Sequence, residues 1–259
     1  MRRDFFYAVI LYLRHHMKKY LPLFFIAGMI AACNGQDISD SASDTSHIEE
    51  APSIGKVPVN TDTFSVGKKS FTIHPLEHSS FDKLPDPDYD SAETNLLNKD
   101  KAHVKRTGDA LEFALNNGET HTLANNTKED DKYCIYFYAG YLPDIHQYLV
   151  FGSYYESSDY VLINADNGDI THVWGIPVIS PDHRYVICAS VDLIAGFNNN
   201  GFQLFSYRNN KLISEGDVQF DKWGPGQMKW LDNKTIEAEY VVLDSDMNEV
   251  PKPVKLVMK

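Results

Sequence analysis

An all-β domain of antiparallel hairpins is the fold the sequence predicts, and three observations predict it. Short runs rich in Val, Ile, Tyr, Phe and Thr recur over residues 63–259, turn-forming residues separate them, and no segment of helical length keeps a helical period. Such runs suit a pleated, half-buried surface better than a helix.

Taken in order, the runs are FSV and SFTI within 64–73, ALEFAL at 110–115, THTLA at 120–124, YCIYFYAG at 133–140 and YLVFGSYY at 148–155. They continue with YVLINA at 160–165, ITHVW at 170–174, RYVICASV at 184–191, FQLFSY at 202–207, KLISE at 211–215, TIEAEYVVL at 235–243 and VKLVM at 254–258. Between residues 77 and 102, Pro85, Pro87 and several acids predict a long loop, with one helical turn over Ala92–Leu97.

The turns set the register. Asn117-Gly118 and Asn167-Gly168 each lie between two such runs, and Asn209-Asn210 joins FQLFSY to KLISE. These pairs predict type I′ hairpins, which need positive φ at both central positions. The ADNGD stretch at 165–169 lacks the alternating ligands and distal glutamate of a calcium loop, so a hairpin is expected there and not a metal site.

A weak repeat follows from the turns. The segment PVISPDHRYVICAS, Pro177 to Ser190, resembles the Ser-Pro-Asp turn and following strand of TolB-like and WD40-like β-propeller blades, with His183 where glycine is usual. Pro181 presets φ, and Asp182 can accept from the backbone two residues on. Similar segments at Leu142–Ser153 and Trp230–Tyr240 place Asp144, Asp182 and Asp232 38 and 50 residues apart, near the length of a blade. The resemblance covers residues 133–259 and implies a small or incomplete β-propeller of about four blades; a β-sandwich or barrel is the alternative. It assigns no activity, because propellers host many.

The amino-terminal region carries an address. From Met17, two lysines precede an apolar run, Leu21 to Ala32, that ends at Cys33. This is the pattern of a secretory signal, and the run of about twelve residues is shorter than the roughly twenty of a membrane span. Residues 1–32 are therefore expected to be a signal segment whose real start is Met17. Ile30-Ala31-Ala32-Cys33 resembles the lipobox of bacterial lipoprotein precursors, which implies lipidation at Cys33 and attachment to membrane lipid. Asn34, not aspartate, follows the cysteine, so the resemblance implies the outer membrane, on its periplasmic or cell-surface face. Residues 33–62, rich in Ser, Asp, Thr and Pro, are expected to form an acidic flexible linker.

The full chain has a net charge of −12; loss of residues 1–32 leaves 19 of 24 basic and 35 of 36 acidic residues, a net charge of −16. Such a chain repels phosphate backbones, and nucleic acid is not an expected partner. Cys134 and Cys188, each within an apolar run, are expected to behave as small hydrophobes, with pairing left open.

No common catalytic or cofactor-binding signature is present: there is no Walker loop, HExxH, GxSxG or CxxC. His74, His103, His121, His146, His172 and His183 are scattered, and the alternating Asp86, Asp88 and Asp90 read as a solvated acidic loop. No cofactor, metal or catalytic residue is expected. Aromatic residues are the one excess, ten of them from Tyr133 to Tyr160. Tyr141 and Trp223 abut turns where a platform for a ligand can form, and Tyr154 and Tyr155 must face opposite ways. The expectation is a membrane-anchored extracytoplasmic binding module for an envelope glycan or protein. The alternatives are an envelope polymer hydrolase or lyase using Asp144, Asp182 or Asp232, and a purely structural envelope lipoprotein.

Overall fold

The computed structural model describes residues 63–81, 92–128 and 130–259. The signal segment, Cys33, the linker and Asp86 to Asp90 lie outside the described residues. Within them the chain is all-β, with sixteen strands in four antiparallel sheets and one short α-helix. Among the described residues, no helix is long and apolar enough to cross a membrane.

The first sheet has three strands, β3 (Val104–Thr107), β4 (Ala110–Ala114) and β5 (Thr120–Ala124). The second is a meander of β6 (Cys134–Leu142), β7 (Gln147–Tyr154), β8 (Ser158–Asn164) and β9 (Ile170–Val173). The third repeats it with β10 (Val178–Ile179), β11 (Tyr185–Ser190), β12 (Gly201–Arg208) and β13 (Lys211–Gln219). The fourth joins both ends of the domain. There β14 (Gly224–Trp230), β15 (Thr235–Leu243) and β16 (Glu249–Met258) are extended by β2 (Lys69–Pro75) and β1 (Thr63–Val66), with Phe71 opposite Met258.

Apolar side chains on both faces hold the sheets in sequence. In β11, Ile187 packs with Phe202 and Ile236 in the cluster between the third and fourth sheets, and Tyr185 and Ala189 lie against it. Val186 and Cys188, one residue out of phase, join Leu149 and Leu162 between the second and third sheets. That is the period-two alternation expected of a strand buried on both faces. A third cluster, with Phe113, Tyr148 and Ile163, joins the first sheet to the second. Among the described residues no such cluster joins the fourth sheet back to the first, so the sheets form an arc, an incomplete propeller of four blades, and not a sandwich or barrel.

The helix α1 (Ala92–Lys99) is a full eight residues, longer than the single turn the sequence predicts. Its Glu93 carboxylate accepts from the Tyr138 amide at 2.7 Å and pairs with Arg106 at 2.5 Å, while Arg106 also donates to the Tyr136 carbonyl. A charged pair thus occupies the Tyr136 and Tyr138 backbone groups on the edge of β6 that faces away from β7. Buried Leu96 ties the helix to the core beneath.

The turns depart from expectation in a consistent way. Only Asn209 and Asn210 both have positive φ, +51° and +58°, as type I′ requires. In the other two turns Gly118 and Gly168 alone are positive, so the chain spends one or two more residues and puts the glycine last. At Gly67, φ is +58°, and a Cβ would stand 1.7 Å from the Glu215 carbonyl oxygen, so the β1–β2 turn accepts no other residue. The Gly-Pro-Gly stretch that follows Trp223, where the sequence predicts a turn, is instead strand β14. Its register shifts between Pro225 and Met228, where the Gln227 amide finds the Glu239 carboxylate at 2.9 Å. A bulge on an edge strand tolerates a residue without an N–H.

Candidate functional site

Alternate turns of a meander lie at opposite ends of its sheet, which gives the arc two rims. The first rim gathers the β6–β7, β10–β11 and β14–β15 turns, the positions of Asp144, Asp182 and Asp232. His183 Nε2 stands 3.8 Å from Asp144, and Asn233 accepts from the Asp182 amide at 3.1 Å, so the turns touch as a row.

These aspartates serve the turns. Asp182 accepts from Ser180 Oγ at 2.8 Å and from the Arg184 amide at 3.2 Å, and His183 takes φ +56° at the position where glycine is usual. Burial opposes the charge on Asp182, but the Ser180 and Arg184 hydrogen bonds hold its carboxyl below the usual range. Asp232 accepts from the Lys234 and Thr235 amides at 2.7 and 2.8 Å, which lowers its pKa in the same way. Asp144 is exposed in a single 3-10 turn. The three carboxylates sit in three separate turns and do not converge on a cleft.

The opposite rim holds a cleft of about 380 Å³ between the second and third sheets. Residues from the β7–β8 turn, from β9 and from the loop after β11 line it. At its centre, His172 Nδ1 lies 2.6 Å from Asp159 Oδ2, and the Tyr154 hydroxyl donates to Asp159 Oδ1 at 2.7 Å. Strand alternation brings the first two together: Asp159 on β8 and His172 on β9 are near neighbours on one face. The Asp159 hydrogen bond raises the His172 pKa against the opposing effect of burial. Burial first, and then Asp159, push the Tyr154 phenol far up, so it remains a hydroxyl donor.

The far wall is a loop that one side chain organises. Asp192 accepts four backbone amides, those of Ala195, Gly196, Phe197 and Asn198, at 2.8–3.0 Å. Burial raises the pKa of this carboxyl, and the amides more than reverse it. The loop therefore holds Phe197 out to solvent, 52% exposed, beside the cleft. Asn198 Oδ1 crosses to the Ser158 amide at 2.8 Å, and Gln203 Oε1 accepts the Trp174 amide at 2.7 Å, pinning the two sheets together at the cleft.

The aromatic residues singled out in the sequence lie elsewhere. Trp223 is buried, stacked between Phe220 at 4.1 Å and Tyr240 at 4.4 Å in the core of the third and fourth sheets. It presents no platform, because the Phe220 and Tyr240 rings stack against it and bury it. Tyr141 is half-buried at the first rim, 5.3 Å from the Tyr148 ring, and burial raises its pKa. The two belong to different clusters and do not meet. Tyr154 and Tyr155 do diverge: the first binds Asp159, and the second is 71% exposed.

Cys134 and Cys188 are both free; burial drives the Cys188 thiol well above its ordinary pKa and leaves it inert. Among the described residues no three acidic, histidine or cysteine side chains gather as metal ligands do. The one trace of the cleft in the sequence is the break DLIAGFNNN at 192–200 between two strong strands. An aspartate opening so long a loop is the sign of a side-chain anchor, but it names no partner.

No family profile and no curated protein matches the chain. Among solved structures, a neuraminidase-like protein of a flat-faced bat strain aligns at 8% identity with a TM-score of 0.21, over 60% of this chain and 55% of its own. The chain thus spans little more than half the length of that protein. The native arabinanase of Bacillus subtilis aligns at 10% identity with a TM-score of 0.26, over 75% of this chain and 91% of its own. Both likenesses are too weak to carry a site or an activity to this chain.

Proposed function

We propose that the chain is a lipid-anchored module of the bacterial outer membrane that binds an envelope glycan in the cleft between its second and third sheets. The lipobox-like Cys33 and the apolar run before it support the anchor. The observation that carries the binding site is the cleft lining: a hydrogen-bonded Tyr154–Asp159–His172 set beside half-buried Trp174 and exposed Phe197. Few convergent polar groups with aromatic surface make a recognition site, and aromatic rings give contact area at low entropic cost.

Glycan hydrolysis by the common route uses two carboxyl groups facing each other across the bond, about 5–10 Å apart. This cleft is lined by one, Asp159, and both of its oxygens are engaged within the protein. Binding therefore accounts for the lining better than turnover does. The test is co-sedimentation of the detergent-extracted full chain with purified peptidoglycan. Trp174→Ala and Phe197→Ala are each expected to weaken retention about tenfold at unchanged melting temperature. Equal retention of both variants, or release of soluble sugar by the wild-type chain that stops in Asp159→Asn, would overturn this reading.

A further inference from the structure

Resting on the cleft reading above, we infer that the cleft is a subsite for a neutral N-acetylated amino sugar, with Gln203 as the residue that holds the acetamido carbonyl. The hydrogen-bond inventory of the lining decides this. Its carboxylate and amide oxygens each already accept: Asp159 Oδ1 from Tyr154, Asp159 Oδ2 from His172, Asn198 Oδ1 from the Ser158 amide, Asn199 Oδ1 from Gln219 and Gln203 Oε1 from the Trp174 amide, while the Ser157 and Ser158 hydroxyls can give or take.

A backbone N–H can only donate, so the Trp174 contact fixes which end of the Gln203 amide is oxygen. Its Nε2 is left with two donors and no partner among the described residues. The cleft thus offers a neutral donor and calls for an acceptor.

Charge narrows the class. No lysine or arginine lines the cleft, its histidine is already paired with its one carboxylate, and the chain has a net charge of −12, so an anionic sugar finds no free counter-charge. An ammonium would have to share the Asp159 oxygens with Tyr154 and His172. An amide carbonyl with a methyl group attached satisfies both sides of the lining: the oxygen meets Gln203 Nε2, and the methyl covers apolar surface of Trp174 or Phe197. A sugar bearing hydroxyls alone leaves that apolar surface wet.

The experiment is calorimetric titration of the detergent-extracted full chain with three trisaccharides: N,N′,N″-triacetylchitotriose, its deacetylated form and cellotriose. The acetylated form is expected to bind about tenfold or more tightly than either of the others. The Gln203→Glu variant keeps the oxygen that accepts from Trp174 and loses the donor. It should retain the wild-type melting temperature and lose the preference. Equal affinity for the acetylated trisaccharide and cellotriose, or a preference that survives Gln203→Glu, overturns the inference. If peptidoglycan retention still depends on Trp174 in that case, the cleft reading stands without it; if that dependence is also missing, both fall.

Discussion

His172 Nδ1 and Asp159 Oδ2 stand 2.6 Å apart across neighbouring strands, and this pair sets a pH dependence on the cleft. The carboxylate raises the histidine pKa in the folded state. The stabilisation is therefore fully present below the unfolded histidine value, about 6.5, and is lost as pH rises through the higher folded value. Because the imidazole is 59% exposed, solvent screening holds it to about 0.5 kcal/mol. Thermal melts of wild type and His172→Gln should differ by about a degree or two near pH 5.5 and coincide near pH 9. A gap that widens with pH would reverse the assignment.

Trp223 is a core residue in this structure, stacked on Phe220 and Tyr240. Trp223→Ala should cost about 3–5 kcal/mol in denaturant unfolding. Trp174→Ala, at the cleft, should cost no more than about 0.5 kcal/mol. Equal costs would mean that Trp174 is as much a packing residue as Trp223.

The Ser180 to Tyr185 turn can be tested from both sides. Asp182→Ala removes the acceptor for the Arg184 amide and should destabilise by about 1 kcal/mol. His183 holds φ +56°, which strains a side-chain-bearing residue, so His183→Gly should raise the melting temperature by about 1–3 °C. A fall in that variant would show that the contact of His183 with Asp144 outweighs the strain.

Much of the fold was legible in the sequence, and the reason is the period of its strands. TIEAEYVVL forms β15 over the same residues as the run, and THTLA forms β5 likewise. The Ser-Pro-Asp segment folds as a turn leading into a strand, with Ile187 and Cys188 on opposite faces. Strand β14 was not legible, because Gly-Pro-Gly reads locally as a turn and only pairing with Tyr240 and Ala238 holds it extended. The union of β2 with β16 is a contact between the two ends of the domain, which no local pattern encodes. The cleft was hidden for a related reason. Asp159, His172, Phe197 and Gln203 come from four segments, each ordinary alone, and Trp223 drew notice because a turn neighbour looks exposed until the fold is known.

Glu237 is buried and binds the Ser80 amide at 2.6 Å and the Ser80 hydroxyl, with Lys229 Nζ at 3.5 Å. Burial raises its pKa, and these partners more than offset that and leave it low. The stability it supplies is present above the unfolded carboxyl value and lost as pH falls through the folded one. Ser80→Ala should cost about 1–2 kcal/mol at neutral pH and less near pH 3, read from urea midpoints. An equal cost at both values would remove the carboxylate from the account.

The proposed anchor makes its own prediction. Cys33→Ser should leave the chain out of the membrane fraction and unlabelled by palmitate, while its melting temperature is unchanged. Label in the variant would place the lipid elsewhere in the chain.

Hydrogen–deuterium exchange of the detergent-extracted full chain, with and without soluble peptidoglycan fragments, tests most directly whether the cleft is the binding site. Protection is expected in residues 155–159, 172–174 and 196–203, which surround His172, Trp174, Phe197 and Gln203. Protection confined to the opposite rim, at residues 142–147, 180–184 and 231–235, would contradict it.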